Sequence, residues 1–293
     1  MAIDAFIVFC RFLFDSGALF LWGAALFSGL CAPSTITIDV WTRLTKWRWL
    51  ASCSVVAGLA ATLPLRAASF GDGWQDATSP AVLRAVLLQT NIGAAWMVQA
   101  ITAILLLVIQ AQRPKRSTVL VSALLAGILL ASLSLTGHAV MNDGTTGRLH
   151  RISNTVHVLA AGAWVGALPA ILLVLGKRGS TSRGDALTAL MRFSIAGHAF
   201  VALVVASGIT SSLFILGRVP VAPQSAYQIA LAAKISLVLL MIVIALANRY
   251  VFVPRMNSDP RMARRLVVGT IAEIVVVPLV IGLVAWFGMI DPQ

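Results

Sequence analysis

The segment YQIALAAKISLVLLMIVIALANRYVF, Tyr227–Phe252, decides the fold class. Between Lys234 and Arg249 it holds no charge, and Ser236 and Asn248 are the only polar residues there. An apolar run of about 18 residues is long enough to cross a bilayer as a helix. In hydrocarbon every backbone N–H and C=O needs an internal partner, which a helix supplies from its own turns. Working outward, seven further segments read the same way: Ala5–Cys31, Trp47–Leu65, Leu83–Ala111, Ser117–Val140, Ile152–Leu175, Met191–Leu216 and Leu266–Gly288. The expectation is an all-α polytopic membrane bundle of about eight transmembrane helices. Connections are short, so residues 1–293 read as a single integral-membrane domain. The strict alternation of a membrane β-barrel is absent. The first run carries Asp4, lacks a basic start and is too long for a signal peptide, so it reads as the first span.

Composition agrees. The chain is 59% hydrophobic and 11% charged, against roughly 25% charged in a soluble domain. That excess of apolar surface requires lipid. The net charge of +12 would suggest nucleic acid as a partner in a soluble protein. Here the basic residues cluster between spans, so no nucleic-acid partner is expected. The odd-numbered connections and their flanks hold fifteen Lys and Arg, including Arg43, Arg116, Lys177, Arg178 and Arg264; the even-numbered ones hold five, including Arg66 and Arg218. Basic loops stay in the cytoplasm, so both termini are expected on the periplasmic side.

Depth along a helix follows from ~1.5 Å per residue. His138 closes the fourth span at its outer end, Met141 follows three residues later, and His150 and His157 open the fifth span. Three of the four histidines and a methionine therefore gather near one outer boundary. Imidazole binds copper and zinc, and thioether sulfur favours Cu(I). The set His138, His150, His157 and Met141 is thus a candidate metal site, with the bland reading of interfacial histidines beside it. His150 and His157 share a face but stand ~10 Å apart along the axis, too far to chelate one ion together easily; His138 with one of them could form a site, or the three could form a relay. Cys10 lies at about the depth of His157 and is a further candidate. Cys53, His198 and Glu273, the only glutamate, fall at an inner depth and could form a second cation site. The blander alternative there is a histidine and a glutamate paired inside the bundle. Arg11, Asp15 and Lys234 are ionisable groups inside spans, where charges pair or face a cavity. Arg11 with Asp15, or Asp15 with Lys234, is the expected pairing. Pro169 and Pro278 predict kinks. Neither a phosphate-binding loop nor another catalytic motif is present, so an enzyme is not expected.

The order of several motifs resembles the CopD family of bacterial copper-resistance inner-membrane proteins. They are TGHAVMNDG, then LHRISNTVHVLAAGAWVGALPAILLVL, then MRFSIAGHAF, then SAYQIALAAKISLVLLMIVIALANRYVFVP. The opening CRFLFDSGALFLWGAALF and the last span with Glu273 fit the same pattern. The resemblance implies eight spans, the bacterial inner membrane and copper moved from periplasm toward cytoplasm, beside a periplasmic copper-binding partner. By motif position it carries over to His138, His150 and His157. Asn154 departs from the pattern, standing where an acidic residue is common. Two other functions compete with a copper permease. One is a b-type cytochrome, with haem b held by two histidines on different helices at matching depth. The other is a non-transporting membrane partner of a periplasmic copper carrier.

Overall fold

The computed structural model describes residues 2–176, 183–217, 225–255 and 259–290, with the backbone alone at Ala2, His138, Ala139, Arg183 and Pro260. Lys177, Arg178 and Arg218 of the charge count, and the side chain of His138, lie outside the described residues. The helices are α1 Ala2–Leu26, α2 Ser34–Arg43, α3 Thr45–Phe70, α4 Pro80–Gln89, α5 Asn91–Ala111, α6 Arg116–Ala131, α7 Gly144–Val165, α8 Leu168–Leu175, α9 Arg183–Leu216, α10 Ala226–Ala247, the single turn α11 Val253–Arg255, and α12 Pro260–Phe287. The described residues form helices and no strand. Eight segments are long and apolar enough to cross a membrane. The expected eight-span all-α bundle is therefore the fold.

Three boundaries differ from the sequence reading. Leu83–Ala111 is not one span: the crossing is Asn91–Ala111, and α4 is a separate short apolar helix. Thr90 makes the corner, capping α5 by accepting a hydrogen bond from the Gly93 N–H at 3.0 Å. The corner is polar, Gln89, Thr90 and Asn91, but it lies between two apolar runs that read as one span. Ser34–Arg43, read as a loop, is helix α2. It buries Ile36, Val40 and Trp41 against the end of the bundle. Finally, the fifth span breaks between α7 and α8, which places Pro169 in the first turn of α8 rather than inside a kinked helix. Proline is tolerated there because the first N–H groups of a helix have no internal partner. Pro278 does lie inside α12.

The first helix is the hub, packing on α3, α6, α7 and α12. Small residues let backbones approach in membranes, where lipid is as apolar as leucine. At Gly166 the approach is closest: an added Cβ would lie 1.9 Å from the Leu19 carbonyl oxygen. The Trp22 indole then donates to the Leu159 carbonyl at 2.9 Å. These contacts fix the histidine-bearing α7 against the centre of the bundle. On its other side α7 packs along the antiparallel α9, while α10 packs along α12.

The beginning and end of the chain meet. The Arg11 guanidinium lies over Gly288, the C-cap of α12, within 2.5 Å of where a Cβ would stand. A cation at a helix C-terminus is favoured by the helix dipole. This contact replaces the expected Arg11–Asp15 pair. Arg11 acts on Asp15 electrostatically, but no direct ion pair joins them among the described residues. Nor does Asp15 pair with Lys234, whose ammonium instead sits 5.8 Å from the Phe287 ring.

Candidate functional site

The face of α7 turned to α9 carries the polar chemistry. Ser153 Oγ donates to the Ser207 carbonyl and lies 3.1 Å from Ser211 Oγ. One turn deeper, His157 Nδ1 lies 3.1 Å from the Val204 carbonyl and 3.1 Å from Ser207 Oγ. The Ser207 hydroxyl itself donates back to Leu203. A carbonyl can only accept, so Nδ1 carries the proton and shares it between Val204 and Ser207. The second nitrogen, Nε2, is then an unprotonated lone pair, and it makes no hydrogen bond among the described residues. Metal-binding histidines are commonly held this way, with the far N–H anchored to a carbonyl.

His150, two turns nearer the boundary, is buried. Its Nδ1 faces Asn142 Nδ2 at 3.2 Å, and its ring lies 5.3 Å from Phe214. An amide N–H donates, so Nδ1 of His150 is occupied while Asn142 stays in place. Met141 is exposed. The backbone of His138 lies in the short turn Gly137–Val140. On the opposite face of α7, Asn154 donates to Ser134 Oγ at 3.0 Å, and Thr155 donates to the same oxygen. The position where an acid was expected thus ties α7 to the turn after α6.

The expected inner site does not form. Cys53 is exposed on α3, His198 is exposed on α9, and Glu273 is buried on α12. His198 spends both ring nitrogens, Nδ1 on the Ser194 carbonyl at 2.9 Å and Nε2 on Tyr250 Oη at 2.8 Å. Glu273 Oε2 accepts from Asn248 Nδ2 at 3.0 Å. Among the described residues no three of His, Cys, Asp and Glu gather around a common point. Counting residues grouped the three, but each side chain has its own surroundings in the bundle. Cys10 is also apart from the histidines: it packs with Ile7, Leu65 and Met289 in a small apolar cluster. For haem b, His150 and His157 share one helix and His198 is fully engaged. No facing pair of histidines therefore exists among the described side chains.

Four contributors escaped the sequence reading: Val204 and Ser207, which hold His157, Asn142, which holds His150, and Asn248, which holds Glu273. Two of them had a signal. Ser207 and Ser211 are four apart on one face of their span, and Asn248 interrupts the apolar run that opened the sequence analysis.

Comparison with known proteins agrees with this architecture. Residues 1–148 match the model for the copper resistance protein D-like N-terminal domain, and residues 187–287 match that for copper resistance protein D. The chain is 35% identical to inner membrane protein YebZ of Escherichia coli, over 85% of each chain. It is 30% identical to copper resistance protein D of Pseudomonas syringae pv. tomato, over 99% of this chain and 98% of that one. It is also 31% identical to copper transport protein CutJ of Bacillus subtilis, over 67% of this chain but 38% of that protein. No solved structure matches the chain. With one family model covering half of its length and a relative covering nearly all of it, this multi-pass membrane protein belongs to the copper resistance protein D family.

Proposed function

We propose that the chain moves copper ions from the periplasm of a bacterial cell across the inner membrane toward the cytoplasm, with His157 as the ligand at the mouth of the path. The observation that carries this reading is the free Nε2 of His157. Its ring is oriented by Val204 and Ser207, and its family is one of copper resistance. His138, Met141 and His150 lie next to it in sequence on the same side and would complete the entry, His150 once Asn142 releases it. The relatives named for copper resistance and copper transport favour the same cargo. Lys234 lies within Coulombic range of His157. A bound cation is therefore held weakly enough to move on, as conduction requires. A periplasmic copper-binding protein would deliver the ion. We take the two matched segments as one membrane domain, a reading supported by the packing of α12 on α1.

Orientation rests on the excess of basic residues in the odd-numbered connections. A reporter fused after Gln293 is expected to be active in the periplasm; activity confined to the cytoplasm would reverse the direction. The test of transport is copper uptake into sealed vesicles holding this chain alone, with His157→Ala as control. Uptake by the parent and not by the variant is expected. Equal uptake by both would move the path elsewhere. Copper binding without any uptake would make the chain a docking partner instead.

A further inference from the structure

We propose that Glu273 and Asn248 form a proton-binding site inside the bundle, with the Glu273 carboxyl held as the neutral acid and exchanging its proton. Both residues are buried, at 3% and 7% exposure. Asn248 Nδ2 donates to Glu273 Oε2, and the Trp164 indole faces the same carboxyl from α7. Two oxygens of this pair, Glu273 Oε1 and Asn248 Oδ1, are buried with no donor. Thr270 cannot supply one, because its hydroxyl donates to the Leu266 carbonyl. From the elements packed on α12, which are α1, α7, α8, α10, α11 and the turn Asn248–Phe252, no charged side chain acts on Glu273 among the described residues, although the last two carry Arg255 and Arg249.

An ionised carboxylate left in hydrocarbon without a counter-charge is costly. One proton on Oε1 turns the carboxylate into a carboxylic acid. It removes the charge and gives a proton to Oε1, which accepts no hydrogen bond among the described residues; the donors that do reach this carboxyl are the Asn248 amide and the Trp164 indole. Oε2 keeps its bond from Asn248, and no other bond is broken. A resident hard cation is a poorer fit, because such ions take about six oxygen ligands and this pair offers two free ones. Copper prefers sulfur and imidazole. The backbone is shaped for the pair. At Asn248 the helix α10 passes into a π-helical turn, Asn248–Phe252, a distortion frequent at functional sites. Across from it, Gly269 leaves room that a Cβ would fill, at 2.2 Å from Asn248 Oδ1.

This site stands independently of copper passing through His157, and its test does not use copper. Infrared spectra of the purified parent and of Glu273→Gln are recorded at neutral pH in H2O and in D2O. The parent-minus-variant spectrum is expected to show one protonated-carboxyl band that shifts in D2O. Carboxylate bands in its place overturn the proposal, as does a band that fails to shift. Should Glu273→Gln not fold, Asn248→Ala serves. Loss of the amide donor moves the carboxyl band, and an unmoved band overturns the pairing.

Discussion

The α7–α9 seam and the α10–α12 seam both carry polar groups through the same bundle, and they differ in how their hydrogen bonds close. Along α7–α9, Ser153, Ser207, Ser211 and His157 pass donors to carbonyls and hydroxyls, and what is left over is a lone pair, on Nε2. Along α10–α12, the amide of Asn248 meets the carboxyl of Glu273, and what is left over is two acceptors facing no donor. A spare imidazole lone pair attracts a soft or borderline metal ion. Spare carboxyl and amide oxygens in a dry site attract a proton. On the two proposals made above, one sequence builds two kinds of cation site, and the kind is set by the last unsatisfied atom rather than by the number of polar residues.

The comparison breaks most sharply at His157. Changing it to Ala removes the lone pair itself. Losing a group that merely orients a ligand costs about 10–100-fold in metal affinity, so losing the ligand is expected to cost at least ~100-fold. Copper titration of the purified variant measures this. An affinity within a few-fold of the parent would strip α7–α9 of its metal role and leave only its packing.

A smaller effect belongs to Ser207→Ala. The hydroxyl is one of two acceptors sharing the His157 Nδ1 proton, and the Val204 carbonyl remains. Copper affinity is expected to fall by about tenfold, the low end for an orienting group. A fall as deep as that of His157→Ala would mean that Ser207 Oγ contacts the ion directly.

The eight spans and the shared helix of two histidines were legible in sequence, because apolar runs and spacing follow from counting residues. His150 and His157 do lie on one helix, and the eight spans are present. Direction around the helix was not legible. Cys53, His198 and Glu273, grouped by counting residues along their spans, face three different surroundings, since which face a span turns inward depends on the helices beside it. The α4–α5 corner was hidden for a related reason. Apolar runs on both sides, residues 85–88 and 92–98, carried the reading across the polar corner Gln89, Thr90 and Asn91. Asn248 was quoted as part of a motif, but its partnership with Glu273 needed the α10–α12 packing. The charges misled as well: Arg11 was matched with its sequence neighbour Asp15, whereas folding brought it to Gly288 from the far end of the chain.

The mildest expected effect tests whether the two seams are separable. Gly269→Ala places a Cβ 2.2 Å from Asn248 Oδ1, so the amide must turn away. Alanine in a helix gains up to about 1 kcal/mol over glycine. Losing the buried bond from Asn248 to Glu273 costs about 1–3 kcal/mol. The net expectation is a loss of ~1 kcal/mol, seen as a modest fall in the melting temperature of the purified protein. Copper affinity is expected to stay at the parent value, because α9 and the histidine face of α7 do not touch Gly269. Were affinity to drop along with stability, the α10–α12 pair would be a support of the copper site, and the division between a metal seam and a proton seam would fail. Unchanged affinity in a less stable protein keeps the two apart. The infrared band of Glu273 in the same variant then separates the amide's hold on the carboxyl from helix packing alone.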